Sequence, residues 1–222
     1  MKEKELRAAV VAAWRRLRER GGDWSTPGDI SARLGKSMLI TPSAGAADKL
    51  RPGMLARLKI EGEYGAWSGR NAPSLEWRLH LDILRARPDV KAIIHWQPLY
   101  ATALSLLGKP IPAAHYRVAA FGGPNLRCTD YAPFGSKELA DLAVEGLADR
   151  HGVLLGANGM VVTGKTLDEA LARAQELERL AKTYAVALAA GRPNILPDDE
   201  ARRLVLRLKA DGIEDAARQG GR

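Results

Sequence analysis

PSLEWRLHLDILRARPDVKAIIHWQ, residues 73–97, is the stretch whose reading decides the fold. Pro73–Ser74 opens a helix that runs to about Ala86, with Ser74 as its N-cap. Pro88–Asp89 stops it. Val90–Trp96 (VKAIIHW) is then an unbroken apolar run of strand length, which reads as a strand buried on both faces. A helix followed directly by a buried strand implies a layered α/β domain.

The flanking sequence continues the alternation. Residues 3–20 form an amphipathic helix, with Leu6, Val10, Trp14 and Leu17 at helical spacing, ended by Gly21–Gly22. Residues 24–36 read as loop plus a short strand. Ser37–Ile40 and Met54–Ile60 read as strands around a Thr41–Gly53 loop, and Gly62–Ala72 as another loop. Beyond the deciding stretch come a short helix, Leu99–Leu107, and a strand, Tyr116–Phe121. A serine-capped helix follows at Ser136–Ala148. Val153–Leu155 and Met160–Val162 are strands split by Gly156–Gly159. Thr166 with Glu169 makes a capping box that starts a long helix to Ala190. A last helix spans Asp198–Lys209. The expectation is one domain over residues 1–212 and a flexible tail over 213–222.

Composition removes several classes. The 222 residues are 46% hydrophobic and 27% charged, ordinary for a globular chain. No apolar run approaches the roughly 20 residues of a membrane span. The first segment is charged throughout and lacks a signal-peptide core, so a cytoplasmic protein is expected. One cysteine, Cys128, excludes a disulfide framework and a multi-cysteine zinc site. The net charge of +8 permits anionic partners, but no basic patch with interleaved aromatics marks nucleic-acid binding.

Four histidines are candidates for chemistry. His95 leaves the buried strand beside Trp96 and Gln97, where it either lines a pocket or is a satisfied core histidine. His80 lies four residues after Glu76 on one helix, which reads as an exposed pair. His151 sits in a turn and reads as solvated. His115 follows a proline-rich loop and stays open. Gly28-Asp29-Ile30-Ser31, Thr41-Pro42-Ser43-Ala44 and Pro73-Ser74 supply hydroxyls and backbone N–H groups suited to an anion.

In chain order, GDIS (28–31), MLITPS (38–43), PSLEWRLH (73–80), IIHWQ (93–97), IPAAHYRVAAFGG (111–123), YAPFGSKEL (131–139) and LLGANG (154–159) resemble the class II aldolase/adducin family over about residues 5–212. The resemblance implies a three-layer α/β/α domain with a central, mainly antiparallel sheet. It also implies a C4 homotetramer with sites at subunit interfaces. It implies a lyase that cleaves a sugar phosphate to dihydroxyacetone phosphate and an aldehyde. In such a site three histidines hold a zinc ion that polarises the ketone. By position, Glu76 matches the proton-moving glutamate and His95 the first zinc ligand. Gly28, Ser31, Thr41, Ser43 and Ser74 match phosphate loops, and Tyr116 an interface tyrosine.

Other positions depart from that pattern. Gln97 and Asn158 stand where the second and third zinc histidines are expected, and neutral amides are poor zinc ligands. Leu75 replaces a phosphate-loop serine, Asp29 an asparagine and Ala44 a glycine. Trp96 stands where a small or polar residue is usual, and Asp211 where a tail tyrosine is expected. No cofactor is therefore assigned, and zinc or another divalent metal stays as the alternative. Three readings remain open. One is the aldolase-type lyase with its native metal site lost. The second is a reshaped metal-free pocket, natural or engineered. Its walls are Trp96 and Leu75, and its base is Glu76 or Asp29 with a raised pKa. The third is a non-catalytic tetrameric scaffold.

Overall fold

The computed structural model describes residues 1–21, 26–43 and 49–210. The apolar run that decides the fold is a strand, β5 (Ala92–Gln97), with its first five residues buried. It lies inside a seven-stranded antiparallel sheet. The other strands are β1 (Thr26–Leu34), β2 (Ser37–Ile40), β3 (Ala56–Lys59), β4 (Trp67–Ser68), β8 (Gly152–Leu154) and β9 (Met160–Gly164). Their order is β4-β3-β2-β1-β5-β9-β8. A separate ribbon pairs β6 (Ile111–Pro112) with β7 (Asn125–Leu126).

Strand alternation sends successive β5 side chains to opposite faces, and each face is covered by helices. Ala92, Ile94 and Trp96 join the core beneath α1 (Glu3–Gly21), α3 (Leu99–Ser105) and α5 (Leu167–Ala190). Ile93 joins the core beneath α2 (Trp77–Ala86) and α4 (Lys137–Gly146). The expected α/β/α layering and central antiparallel sheet are both present. A last helix, α6 (Asp198–Ala210), packs on the Tyr116–Phe121 segment.

Three expectations needed correction. Residues 26–34 are one nine-residue strand and not mainly loop. Pro27 and Gly28 mark a bulge, where the β1–β5 register shifts between Thr26 and Asp29. Tyr116–Phe121 is a 3-10 helix, not a strand. His115 caps it by accepting from the Arg117 N–H, and Gly122 ends it at φ 90°. Ser74 is not the α2 N-cap; that position is Glu76, whose N–H donates to the Ser74 hydroxyl. The capping residues of the later helices are as expected: Ser136 accepts from Leu139 N–H and Thr166 from Glu169 N–H. Among the described residues no helix is long and apolar enough to cross a membrane.

Candidate active site

The bulge in β1 builds one wall of the site. A Cβ placed on Gly28 would lie 1.9 Å from the His95 carbonyl oxygen, so only glycine lets β1 press this close to β5. The register that follows sets Asp29 opposite His95. Asp29 Oδ2 lies 3.1 Å from His95 Nδ1, and His95 Nε2 lies 3.1 Å from the main-chain oxygen of Asn158. Burial disfavours the Asp29 carboxylate. The hydrogen bond and charge of His95, with help from His80 and the Ser74 hydroxyl, outweigh it and hold Asp29 below the usual carboxylate range. Burial likewise opposes the His95 charge, but Asp29, Glu76 and the Asn158 carbonyl raise its pKa. The expected raised pKa at Asp29 is therefore overturned. It is bonded to His95 across the strand pair, so it is a structural partner of His95 and not a poised base.

The turn between β8 and β9 carries Asn158. Leu155 and Gly159 close it through a 2.9 Å bond from Leu155 N–H to Gly159 O. Gly159 adopts φ 79°, and a Cβ there would meet the Trp96 carbonyl oxygen at 2.5 Å. Asn158 is buried, its Oδ1 accepts from Gln97 Nε2, and its Nδ2 has no partner among the described residues. The two amides that stand at expected histidine positions thus bond to one another.

A second wall comes from two loops strapped together. Ser74 N–H donates to Thr41 O at 2.9 Å, and Leu75 N–H donates to Ser43 Oγ at 3.1 Å. Thr41 Oγ1 accepts from Ile30 N–H at 3.1 Å, which ties this loop to β1. Glu76 is buried, and its Oε2 accepts from the Gly135 N–H at 3.1 Å. Its charge acts on His95, so the carboxylate belongs to the same cluster.

Several candidates are placed differently from expectation. Trp96 is 2% exposed and packs into the core on the sheet face opposite His95, so it is no platform in the pocket. Leu75 is 62% exposed and stands at the rim, not as a buried wall. Ser31 is fully buried one pleat deeper and bonds His80 Nδ1 at 2.8 Å, which takes it out of the phosphate loop. His80 is accordingly a buried group and not an exposed partner of Glu76. Burial pushes its pKa down to about 4, so it is neutral at neutral pH. Burial and the nearby arginines push His151 down to about 3, so it is not simply solvated. Tyr116 is half exposed and stacks on His115 at 4.7 Å between ring centres. Ala44, Asp211 and the 213–222 tail lie outside the described residues.

The residues present do not fit a zinc ion. Zinc takes a lone pair from each ligand. His95 Nε2 faces a carbonyl oxygen, which can only accept, so that nitrogen carries a proton; Nδ1 faces the Asp29 carboxylate. Among the described residues no three His, Cys, Asp or Glu side chains gather as a metal site. The network missed from the sequence is the Asp29–His95 pair and the Gly135 N–H on Glu76. Both depend on strand register and loop contact, although Gly135 lies in the YAPFGSKEL motif.

This sheet, with a glutamate and a histidine at one end and serine loops beside them, defines a class II aldolase-type domain. Residues 8–185 match the family described as Class II Aldolase and Adducin N-terminal domain. The chain is 42% identical over 207 residues to a 5-methylthioribulose-1-phosphate/5-deoxyribulose-1-phosphate aldolase of Rhodospirillum rubrum, covering 93% of this chain and 92% of the relative. It is 32% identical over 214 residues to the L-fuculose phosphate aldolase of Escherichia coli K12, covering 96% and 98%. A solved L-fuculose 1-phosphate aldolase superposes with a TM-score of 0.85 at 32% identity, over 92% of this chain and 96% of that one. The chain belongs to the class II aldolase/adducin family, within its sugar-phosphate aldolase branch.

Proposed function

We propose that the pocket bounded by Asp29, Ser43, Ser74, Glu76 and His95 binds a phosphorylated ketose or its dihydroxyacetone phosphate fragment. Glu76 moves the proton beside the ketone, and the native zinc site is lost. The observation that carries this reading is Glu76 itself. It is a carboxylate buried to 7% exposure, oriented by the Gly135 N–H and adjacent to the serine loops. A buried carboxylate fixed by one hydrogen bond on Oε2 keeps Oε1 for a substrate proton. The relatives named above are aldolases of 5-methylthioribulose-1-phosphate or 5-deoxyribulose-1-phosphate and of L-fuculose phosphate, which supports the substrate class.

The phosphate end falls to the strapped loops. Ser43 Oγ accepts from Leu75 N–H and so has its own hydrogen to give. Asp29 would repel a dianion if it stood alone, but its Oδ2 is turned to His95 Nδ1 at 3.1 Å. Leu75 offers no hydroxyl, which leaves one charge-assisted bond fewer than a serine would make, about 1.5–3 kcal/mol.

Self-association to a C4 tetramer belongs to the same proposal. Leu75, Tyr116, Tyr131 and Phe134 are 62%, 51%, 66% and 69% exposed, an apolar set that a second subunit would cover and that would bring Tyr116 to a neighbouring site. A cytoplasmic location accords with this metabolic reading.

Calorimetric titration with dihydroxyacetone phosphate tests the proposal, with sedimentation velocity for the oligomer. Saturable binding that weakens in Ser74→Ala is expected. No binding, by a protein that sediments as a folded tetramer, would leave the non-catalytic scaffold reading in its place.

A further inference from the structure

We propose that Asn158 Nδ2 takes over the task of holding the substrate's ketone oxygen, so that the site exchanges the proton beside that ketone without any divalent cation. This inference rests on the ketose-phosphate reading above and adds a residue and a metal-free chemistry to it.

The argument starts from an unsatisfied donor. Asn158 is 8% exposed, and its Nδ2 is buried with no partner among the described residues. Buried polar groups are rarely left without a partner, and the exceptions call for an unseen acceptor. The rest of Asn158 is committed. Its carbonyl accepts from His95 Nε2 and its Oδ1 from Gln97 Nε2. The first bond holds the Asn158 backbone and the second its side-chain amide, which orients the free N–H group. A pre-oriented donor of this kind stabilises developing negative charge on oxygen without reorganising.

The neighbours suit the same reaction. Glu76 lies near enough to His95 for its charge to be felt there, and Asn158 is bonded to His95. Glu76 and Asn158 therefore both act on one imidazole, the first through its charge and the second through its main-chain oxygen. The His95 Nε2–H donates to the Asn158 carbonyl, which polarises that peptide unit.

The step balances with no co-reactant. The Glu76 carboxylate removes a proton from the hydroxymethyl carbon next to the ketone. The C–H electron pair becomes a C=C bond, and the carbonyl pair moves onto oxygen, where the Asn158 N–H accommodates it. Return of a proton from Glu76 to carbon restores the ketone. In D2O the returned atom is deuterium.

The experiment is proton NMR of dihydroxyacetone phosphate in D2O, with chelator-treated protein, read as the loss of the hydroxymethyl proton signal. Exchange is expected with chelator present and unchanged by added zinc. Asn158→Leu should slow it about 100-fold, the usual effect of deleting one oxyanion donor. Calorimetric binding of dihydroxyacetone phosphate by the same variant shows that it is folded and still holds the phosphate. Glu76→Gln should abolish exchange while binding persists. Exchange that appears only with a divalent metal would overturn the inference. So would binding without exchange, or exchange by Asn158→Leu at the wild-type rate. Absence of any binding by the wild-type protein would instead remove the ketose-phosphate reading on which the inference stands.

Discussion

Asp29 and His95 face one another across β1 and β5 with 3.1 Å between Oδ2 and Nδ1, and the ring's other nitrogen donates to the Asn158 carbonyl. Both imidazole nitrogens are thereby engaged inside the protein. His95 is built here into a buried pair with Asp29, which sits on the neighbouring strand.

That pair has a stability consequence. Removing one partner of a buried ion pair leaves the other charge uncompensated, at a cost of about 3 kcal/mol or more. Asp29→Ala should lower the unfolding free energy by about that amount at pH 7, measured by urea denaturation. Asp29→Asn, which keeps a hydrogen-bonding side chain, should cost less.

Trp96 gives a second test, because its place in the core separates packing from binding. Trp96→Ala should destabilise the protein by about 3–5 kcal/mol. Trp96→Phe should fold and bind dihydroxyacetone phosphate with unchanged affinity in calorimetry. A large affinity loss in Trp96→Phe would return Trp96 to the pocket.

The turn that carries Asn158 holds a third. Ala157 is the only non-glycine residue with positive φ among the described residues, at 54°. An L side chain there costs roughly 1 kcal/mol relative to glycine. Ala157→Gly should therefore raise stability by up to about 1 kcal/mol, seen as a higher midpoint in thermal melting.

Acid stability gives the fourth. Burial first, then Arg173 and Arg87, with Lys165 adding and Asp89 opposing, push the His151 pKa down to about 3. The unfolded chain takes up this proton near pH 6.5, the folded chain only near pH 3. His151 thus contributes stability that is complete above pH 6.5 and is lost as pH falls toward 3, by about 1.4 kcal/mol per pH unit. Between pH 7 and pH 4 the urea midpoint of wild type should fall relative to that of His151→Gln.

The sequence carried much of this fold in plain view. VKAIIHWQ is apolar without alternation, and a strand buried on both faces needs that pattern. Thr166 and Ser136 are cap residues by local chemistry, so they were legible without tertiary context. The β1 bulge was not, because Pro27-Gly28-Asp29 carries the same local signals as a turn, and only pairing with β5 makes it a strand. YRVAAF has strand-forming residues, but the His115 cap and the buried trio Val118, Ala119 and Phe121 select a 3-10 helix.

The site was legible in identity and not in wiring. Gln97 and Asn158 stood out as amides at two expected histidine positions, yet their mutual bond joins residues 61 apart in the chain. The period of two along β5 separates His95 from Trp96, so the side of the sheet that Trp96 occupies is legible in the sequence. Asp29 could not be matched to His95 without strand register.

Zinc titration of chelator-treated protein by calorimetry, with elemental analysis of the protein as purified, bears most directly on the central claim. With His95 paired to Asp29 and Asn158, and Gln97 bonded to Asn158, no tight zinc per subunit is predicted. One tightly held zinc per subunit, lost in His95→Ala, would contradict the account and restore metal chemistry to this site.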